Sequence, residues 1–244
     1  PKSDLLFNLA IIILCLSIFL IVVYPLFFVV IASISDSNMV SKGLVTLFPR
    51  NISFFGFEKI LQDARIWTGY RNTLIYTLGG TAVNLIFTLP AAFALSRKEF
   101  KPRKLLMFLF TFTMFFNGGL IPTYLLYRDV GLIDSMWVFI IPSAVNVYNL
   151  IIARSFFETS IPDSLYEAAA LDGCSYAKFF VTVTLPLSKA VISVVGLYYL
   201  VQHWNDFFTG LVFIRDYEKQ PLQIVLRDIL LSNQASAGGA GALG

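Results

Sequence analysis

The sequence is poor in charge and nearly empty of metal-ligating side chains. Only 14% of its 244 residues are Asp, Glu, Lys or Arg, too little polar surface to disperse a soluble domain of this length. The formal net charge is +3 and no basic stripe occurs, which argues against a nucleic-acid partner. There is one histidine, His203. The two cysteines, Cys15 and Cys174, are far apart, one in an apolar run and one in a polar stretch. Neither a metal site nor a disulfide is expected from so few ligands. No Gly-rich loop ending in Lys-Ser or Lys-Thr occurs, so the sequence contains no phosphate cradle of the P-loop kind.

Apolar residues are abundant instead: 57% of the chain, with 24 Phe and 11 Tyr, and a mean hydropathy of +0.75. The apolar runs are continuous rather than alternating with period two. The expected fold class is therefore all-α, a polytopic transmembrane helical bundle rather than a β-barrel. A spanning helix needs about 20 mostly apolar residues. Five segments qualify: 5–34, 72–95, 105–126, 136–157 and 186–203, the last reaching towards 208. The first is too long for a signal-peptide core and has no clear cleavage site, so it is read as a retained span. "PLQIVLRDILL" (221–231) has Leu and Ile at helical spacing but carries Arg227 and Asp228, as an amphipathic helix at the membrane surface does.

The organisation expected is an N-terminal transmembrane helix (1–34), an extracytoplasmic segment (35–71), a core (72–231) with a polar loop at 158–185, and a low-complexity tail (232–244). Orientation follows from "RKEFKPRK" (97–104), which holds five Lys or Arg in eight residues and is placed in the cytoplasm. The N-terminus and the loop 158–185 then lie inside, and 35–70 lies outside. Within the outer segment "FPRNISFFGFEKIL" reads as a Pro turn and a short amphipathic helix, either a plain connection or a partner contact. The chain starts at Pro1 and closes on "ASAGGAGALG", and both ends look cut relative to a native gene product.

The stretch "RSFFETSIPDSLYEAAALDG" (154–173) is the most polar interruption of the core. Pro162 suits a first helical turn, with Ser160 or Asp163 as N-cap. Ser164 to Leu171 reads as a short helix on which Leu165, Ala168 and Ala169 share a face. Gly173 suits the left-handed position that ends it. A second helix starts near Tyr176, and Pro186 marks the return to the bilayer. Small side chains at Ala168 and Ala169 permit close approach, and Glu167 offers a charge. A docking knob and an ordinary cytoplasmic helical loop both fit these residues.

The spacing Glu167-Ala168-Ala169, then Gly173, then Val183, then Leu185-Pro186 resembles the EAA motif of ABC importer permeases, with Val183 in place of the usual Ile. "RIWTGYRNTLIYT" (65–77), "AAFALSRKEF" (91–100), "FTMFFNGGLIPTYLL" (112–126) and "YYLVQHWNDFF" (198–208) are similar to the MalG-like half of carbohydrate importer permeases, nearest the LplC type for oligosaccharides and polysaccharides such as alginate or pectin fragments. The resemblance implies the type I importer permease (MetI-like) fold in a bacterial plasma (inner) membrane. It implies a non-catalytic subunit with no cofactor of its own. The implied partners are a second homologous permease subunit, two ATPase subunits that bind ATP-Mg, an extracytoplasmic solute-binding protein and membrane lipid, with a sugar as substrate. It also implies ATPase coupling through Glu167, Ala168, Ala169, Asp172, Gly173, Leu185 and Pro186. Members of the family have a sixth span, so a further apolar stretch is expected after residue 244.

Polar residues within spans are candidates for a sugar path: Asn117, Asn146, Tyr148, Asn149, Trp204 and Asn205, with Asn84, His203 and Asp206 nearby. Helix–helix hydrogen bonding and interface anchoring explain the same residues equally. "NGGLIP" (117–122) interrupts the third span, as a gate or as a static kink. The rival reading, an ATP-independent secondary transporter or channel subunit, leaves the motif at 167–186 unexplained and finds almost no ionisable residues in the spans away from their ends.

Overall fold

The computed structural model describes the backbone of residues 2–240 and the side chains of residues 4–232. The side chains of the tail beyond 232, residues 241–244, and the apolar stretch expected after 244 lie outside the described residues. Two compact units are present, Pro1–Ala64 and Arg65–Gly244. In the first, α1 (Lys2–Ser33) is followed by α2 (Ser37–Ser41) and α3 (Phe55–Gln62). α1 is apolar on every side and exposed along its length. Such a helix is stable only in an apolar solvent. Asp36 caps α2, its carboxylate accepting from the Asn38 amide at 2.8 Å.

The second unit is α4 (Ala64–Ser96), α5 (Arg103–Phe115), α6 (Leu120–Asp129), α7 (Trp137–Ile140), α8 (Val147–Ser160), α9 (Asp163–Leu171), α10 (Tyr176–Phe179), a π-helical turn (Phe180–Thr184), α11 (Leu185–Leu187), α12 (Lys189–Trp204), α13 (Phe207–Phe213) and α14 (Leu222–Ala240). Its core lies where α4, α8 and α12 meet. Leu89, Ala92 and Phe93 pack with Leu150, Ala153 and Phe157 and with Val191, Val195 and Tyr199, and Phe179 closes the cluster.

Five uninterrupted spans are not what forms. Among the described residues two helices, α1 and α4, are long and apolar enough to cross a membrane, and up to four spans result if each of two bent pairs counts as one. The third expected span is broken: α5 and α6 meet at 114° across residues 116–119. Asn117 makes that corner, its side chain accepting from the Gly119 amide at 3.0 Å. The fourth is broken too, because Pro142 has no amide hydrogen and residues 141–146 leave the helix between α7 and α8. The fifth turns by 84° at Ser188. Just before it, the π-helical turn widens the backbone ahead of Pro186, whose ring a regular α-helix does not accommodate.

Part of the apolar surface of α14 packs on the unit's own core, while Leu226, Leu230 and Leu231 stay exposed. Leu222 and Val225 are buried against Ile66 of α4, and the Leu222 amide donates to Thr73 Oγ1 at 2.9 Å. The loop before it is stapled from two sides. Asn72 donates to the carbonyls of Glu218 (2.7 Å) and Gln220 (3.1 Å), and Tyr76 donates to that of Lys219 (2.9 Å). From the other side Asp134, at φ 57°, accepts from the amides of Asp216 (2.9 Å) and Arg215 (3.1 Å).

The Asp216 amide holds the Asp134 carboxyl below the usual carboxylate range, with Arg215 and Lys219 adding to the effect. A depressed folded-state value means the staple contributes stability above the unfolded value near 3.9. That contribution is lost only as pH falls below it through the folded value. Asp134→Ala is expected to cost about 2–3 kcal/mol, since it removes the one carboxylate oxygen that accepts from both amides and strains the left-handed backbone. Hydrogen exchange at the amides of Arg215 and Asp216 should accelerate accordingly, and unchanged protection there would remove Asp134 from the staple.

Candidate functional site

α8 ends at Ser160. Ile161 and Pro162 are extended (ψ 90° and 144°), and α9 starts at Asp163 with Pro162 in the cap position and no side-chain cap. The carboxylate of Asp163 is not free to cap because two cations hold it, Lys98 at 2.8 Å and Arg97 at 3.5 Å. The Lys98 hydrogen bond lowers the Asp163 pKa, so the acid stays ionised throughout the physiological range.

α9 has two faces. Tyr166 and Ala169 are half-buried against the core; Tyr166 stacks on Tyr176 at 4.0 Å and meets Phe179 edge-on at 5.2 Å. Leu165, Ala168 and Leu171, three residues apart, form the outward stripe, and Leu171 is 90% exposed. Ala169, four residues after Leu165, lies at the edge of this stripe and is half-buried. Glu167 and Asp172 are exposed beside the stripe. Glu167 makes no ion pair with any described residue.

The helix stops in a Schellman turn: Gly173 N donates to Ala170 O (2.9 Å) and Cys174 N to Ala169 O (3.0 Å). Gly173 has φ +74°, and a Cβ there would meet nothing within 4 Å. The requirement for glycine is thus conformational and not steric. Ser175 then caps α10, accepting from the Lys178 amide at 3.4 Å. Leu185, half-buried on the core, and Pro186, exposed, stand at the far end of this run, just before the 84° bend. The motif thus divides into an outward knob (167–173) and the root of a span (185–186).

The six candidate path residues scatter. Asn146 and Tyr148 line a hollow of about 380 Å³ together with Ser143 and Gln202. Asn205 lines a neighbouring hollow of about 430 Å³, which also has Ser143, Gln202 and Asp206 in its wall. Asn117 is spent on the corner between α5 and α6. Asn149 is buried, its amide capped by Asn146 Oδ1 at 3.2 Å. Trp204 packs edge-on to Tyr70 at 6.2 Å. Ser143 and Gln202, the polar residues common to both hollows beside Pro142, are not among the residues singled out from sequence. A polar side chain late in an apolar helix was the available signal for Gln202.

His203 and Asn84 serve the fold. His203 Nε2 lies 2.6 Å from Asn84 Oδ1, and Asn84 Nδ2 also donates to the Ser143 carbonyl. One turn away, Thr88 and Tyr199 share a hydrogen bond of 2.7 Å, and the Asn146 amide donates to the Tyr199 hydroxyl at 3.0 Å. Two antiparallel polar pairs between α4 and α12 thereby satisfy the backbone of the broken segment 141–146. Gly80 makes room for this: a Cβ there would lie 2.5 Å from His203 Nε2.

Residues 64–238 match the family described as binding-protein-dependent transport system inner membrane component. The polygalacturonan/rhamnogalacturonan transport system permease protein YtcP of Bacillus subtilis (strain 168) is 36% identical over 225 residues, 92% of this chain and 78% of that protein. Protein LplC of the same organism is 36% identical over 217 residues, 89% and 73% of the two chains. Among solved structures, a chain of a bacterial ABC transporter involved in the import of the acidic polysaccharide alginate superposes with a TM-score of 0.92. It is 36% identical, and the match covers 100% of this chain and 86% of that one. An all-helical unit with a short exposed helix between two core helices, carried on a sequence this similar, places the chain in the family of binding-protein-dependent transport system inner membrane components.

Proposed function

We infer that the chain is a multi-pass permease subunit in a bacterial plasma membrane, working in an ATP-driven importer of oligosaccharides or polysaccharides. Its substrates, on the likeness to YtcP and to the alginate importer, are fragments of uronate-containing polysaccharides. A second permease subunit, two ATPase subunits holding ATP-Mg and an extracytoplasmic solute-binding protein complete the assembly. The observation that carries this reading is α9: a short helix with an outward stripe of Leu165, Ala168 and Leu171 and an unpaired Glu167, rooted on core aromatics. An exposed apolar stripe beside an available charge suits a protein partner.

In this reading Glu167 pairs with a cation of the ATPase. Ala168 allows close approach, Gly173 turns the chain, and α9 faces the cytoplasm. Asn146, Tyr148, Asn205, Ser143 and Gln202 supply hydroxyls, amides and a ring for sugar contacts along the path. The test is uptake by proteoliposomes holding the whole importer, supplied with binding protein. Oligogalacturonate or alginate oligosaccharide is expected to accumulate only with ATP-Mg on the face that bears α9. Uptake by this chain alone without ATP would make it a secondary transporter or channel subunit instead.

A further inference from the structure

Arg97 follows directly on the last turn of α4 and is only 4% exposed. Its Nη2 donates to the carbonyls of Phe157 (3.0 Å) and Ile161 (3.4 Å), at the C-terminal end of α8. Its Nε donates to Ser96 Oγ at 3.1 Å, its Nη1 lies 3.5 Å from Asp163 Oδ1, and its plane lies 5.2 Å from the centre of the Phe93 ring. One guanidinium thus joins three elements: the end of α4, the carbonyl end of α8 and the first residue of α9. Both helix ends favour this arrangement, a cation at a C-terminus and an acid at an N-terminus. A lysine has the charge but not the planar fork needed to reach all of them.

The junction it spans is otherwise weak. Ile161 and Pro162 are an extended two-residue link held by one helical bond on each side, the Ile161 amide to the Phe157 carbonyl at 3.3 Å and the Leu165 amide to the Pro162 carbonyl at 3.1 Å. Around it the same loop adds lighter ties, Lys98 to Asp163 at 2.8 Å and Arg103 to Glu158 at 3.7 Å, while Arg154 donates to the Leu95 carbonyl at 3.1 Å. We propose that Arg97 is a positioning residue that makes α9 and the end of α4 one rigid block, so that displacement of α9 is delivered to the spanning helix and not absorbed at residues 161–162. The proposal rests on α9 being the ATPase contact.

Arg97→Gln, in the assembled importer, is expected to leave the ATPase bound in wild-type ratio. ATP hydrolysis should stay within about twofold while uptake falls about tenfold or more, because the buried latch is lost but the docking stripe is not. Arg97→Lys should not rescue uptake, and Lys98→Ala, which removes an exposed pair, should change it less than about twofold. Unchanged uptake with Arg97→Gln, loss of the ATPase from the complex, or hydrolysis and uptake falling in parallel would each overturn the proposal. A second measurement does not depend on that variant folding. With Cys15 and Cys174 replaced by serine, cysteines at 98 and at the exposed position 164, which leave Arg97 and Asp163 in place, joined by a short bis-maleimide should leave uptake intact, since a rigid block has no motion there to arrest. Arrest by the cross-link would show that the two parts move apart. Failure of the docking reading itself has a different signature, normal ATPase recovery and uptake with Glu167→Lys.

Discussion

Glu167→Lys is expected to stop transport while the permease still inserts. The side chain is exposed and makes no ion pair among the described residues, so the described fold does not depend on its charge. Its reversal acts only where a partner meets α9. Truncating one member of a buried charge pair at an interface costs about 2–5 kcal/mol, and reversing it costs no less. At about 1.4 kcal/mol per tenfold, ATPase recovery should fall about 100-fold. Sugar binding to the separate binding protein should be unchanged. A bulky residue at Gly173, such as valine, should act in the same direction by another route. The φ of +74° costs a β-branched residue about 1–2 kcal/mol, and relief of that strain reorients the turn behind the knob. Co-purification of the ATPase and uptake are the two readouts. Full uptake with normal ATPase recovery in Glu167→Lys would sink the coupling role of α9.

Asn84→Leu is the substitution expected to do most harm to the fold. It keeps the branched side-chain shape but replaces a fully buried amide by an apolar group, stripping His203 Nε2 and the Ser143 carbonyl of their partner. Each orphaned buried group costs about 1–3 kcal/mol, so a loss of about 2–6 kcal/mol is expected for the pair. Thermal unfolding in detergent should drop clearly, and the double variant Asn84→Leu/His203→Leu should be less destabilised than the two single effects added together. Strict additivity would show that the two side chains do not act as a pair.

How much of this is legible in the sequence depends on range. α1 and α4 are legible because hydropathy over about 20 residues is a local property. The turn at Gly173 and the start of α10 at Tyr176 are legible for the same reason, since capping chemistry is written within a few residues. The fourth span illustrates the opposite case: its apolar run is continuous, and Pro142 alone does not say whether the chain kinks or leaves the helix. What permits the break is Asn84, itself bonded to His203, answering the Ser143 carbonyl and Tyr199 answering the Asn146 amide from helices more than fifty residues away. Their spacing, Asn84 with Thr88 and Tyr199 with His203, is a visible hint of two facing polar stripes, but not of their register.

The basic loop shows another limit. Five cations in eight residues read as a solvated cluster that fixes topology. Arg97 is nonetheless buried, because the carbonyl end of α8 and Asp163 converge on it only in the folded chain.

The corner at residues 116–119 has a consequence for depth. α5 and α6 are 13 and 10 residues long, which at 1.5 Å per residue is about 20 Å and about 15 Å. Neither arm alone crosses a hydrocarbon layer of about 30 Å. Two helix ends meeting at 114° also leave backbone amides and carbonyls that the local contacts, Asn117 to Gly119 and Phe116 to Phe112, only partly answer. In hydrocarbon each unanswered group costs several kcal/mol. Acyl chains therefore cannot wet this corner. Water or another polypeptide must, and the annulus of lipid around the subunit is interrupted there.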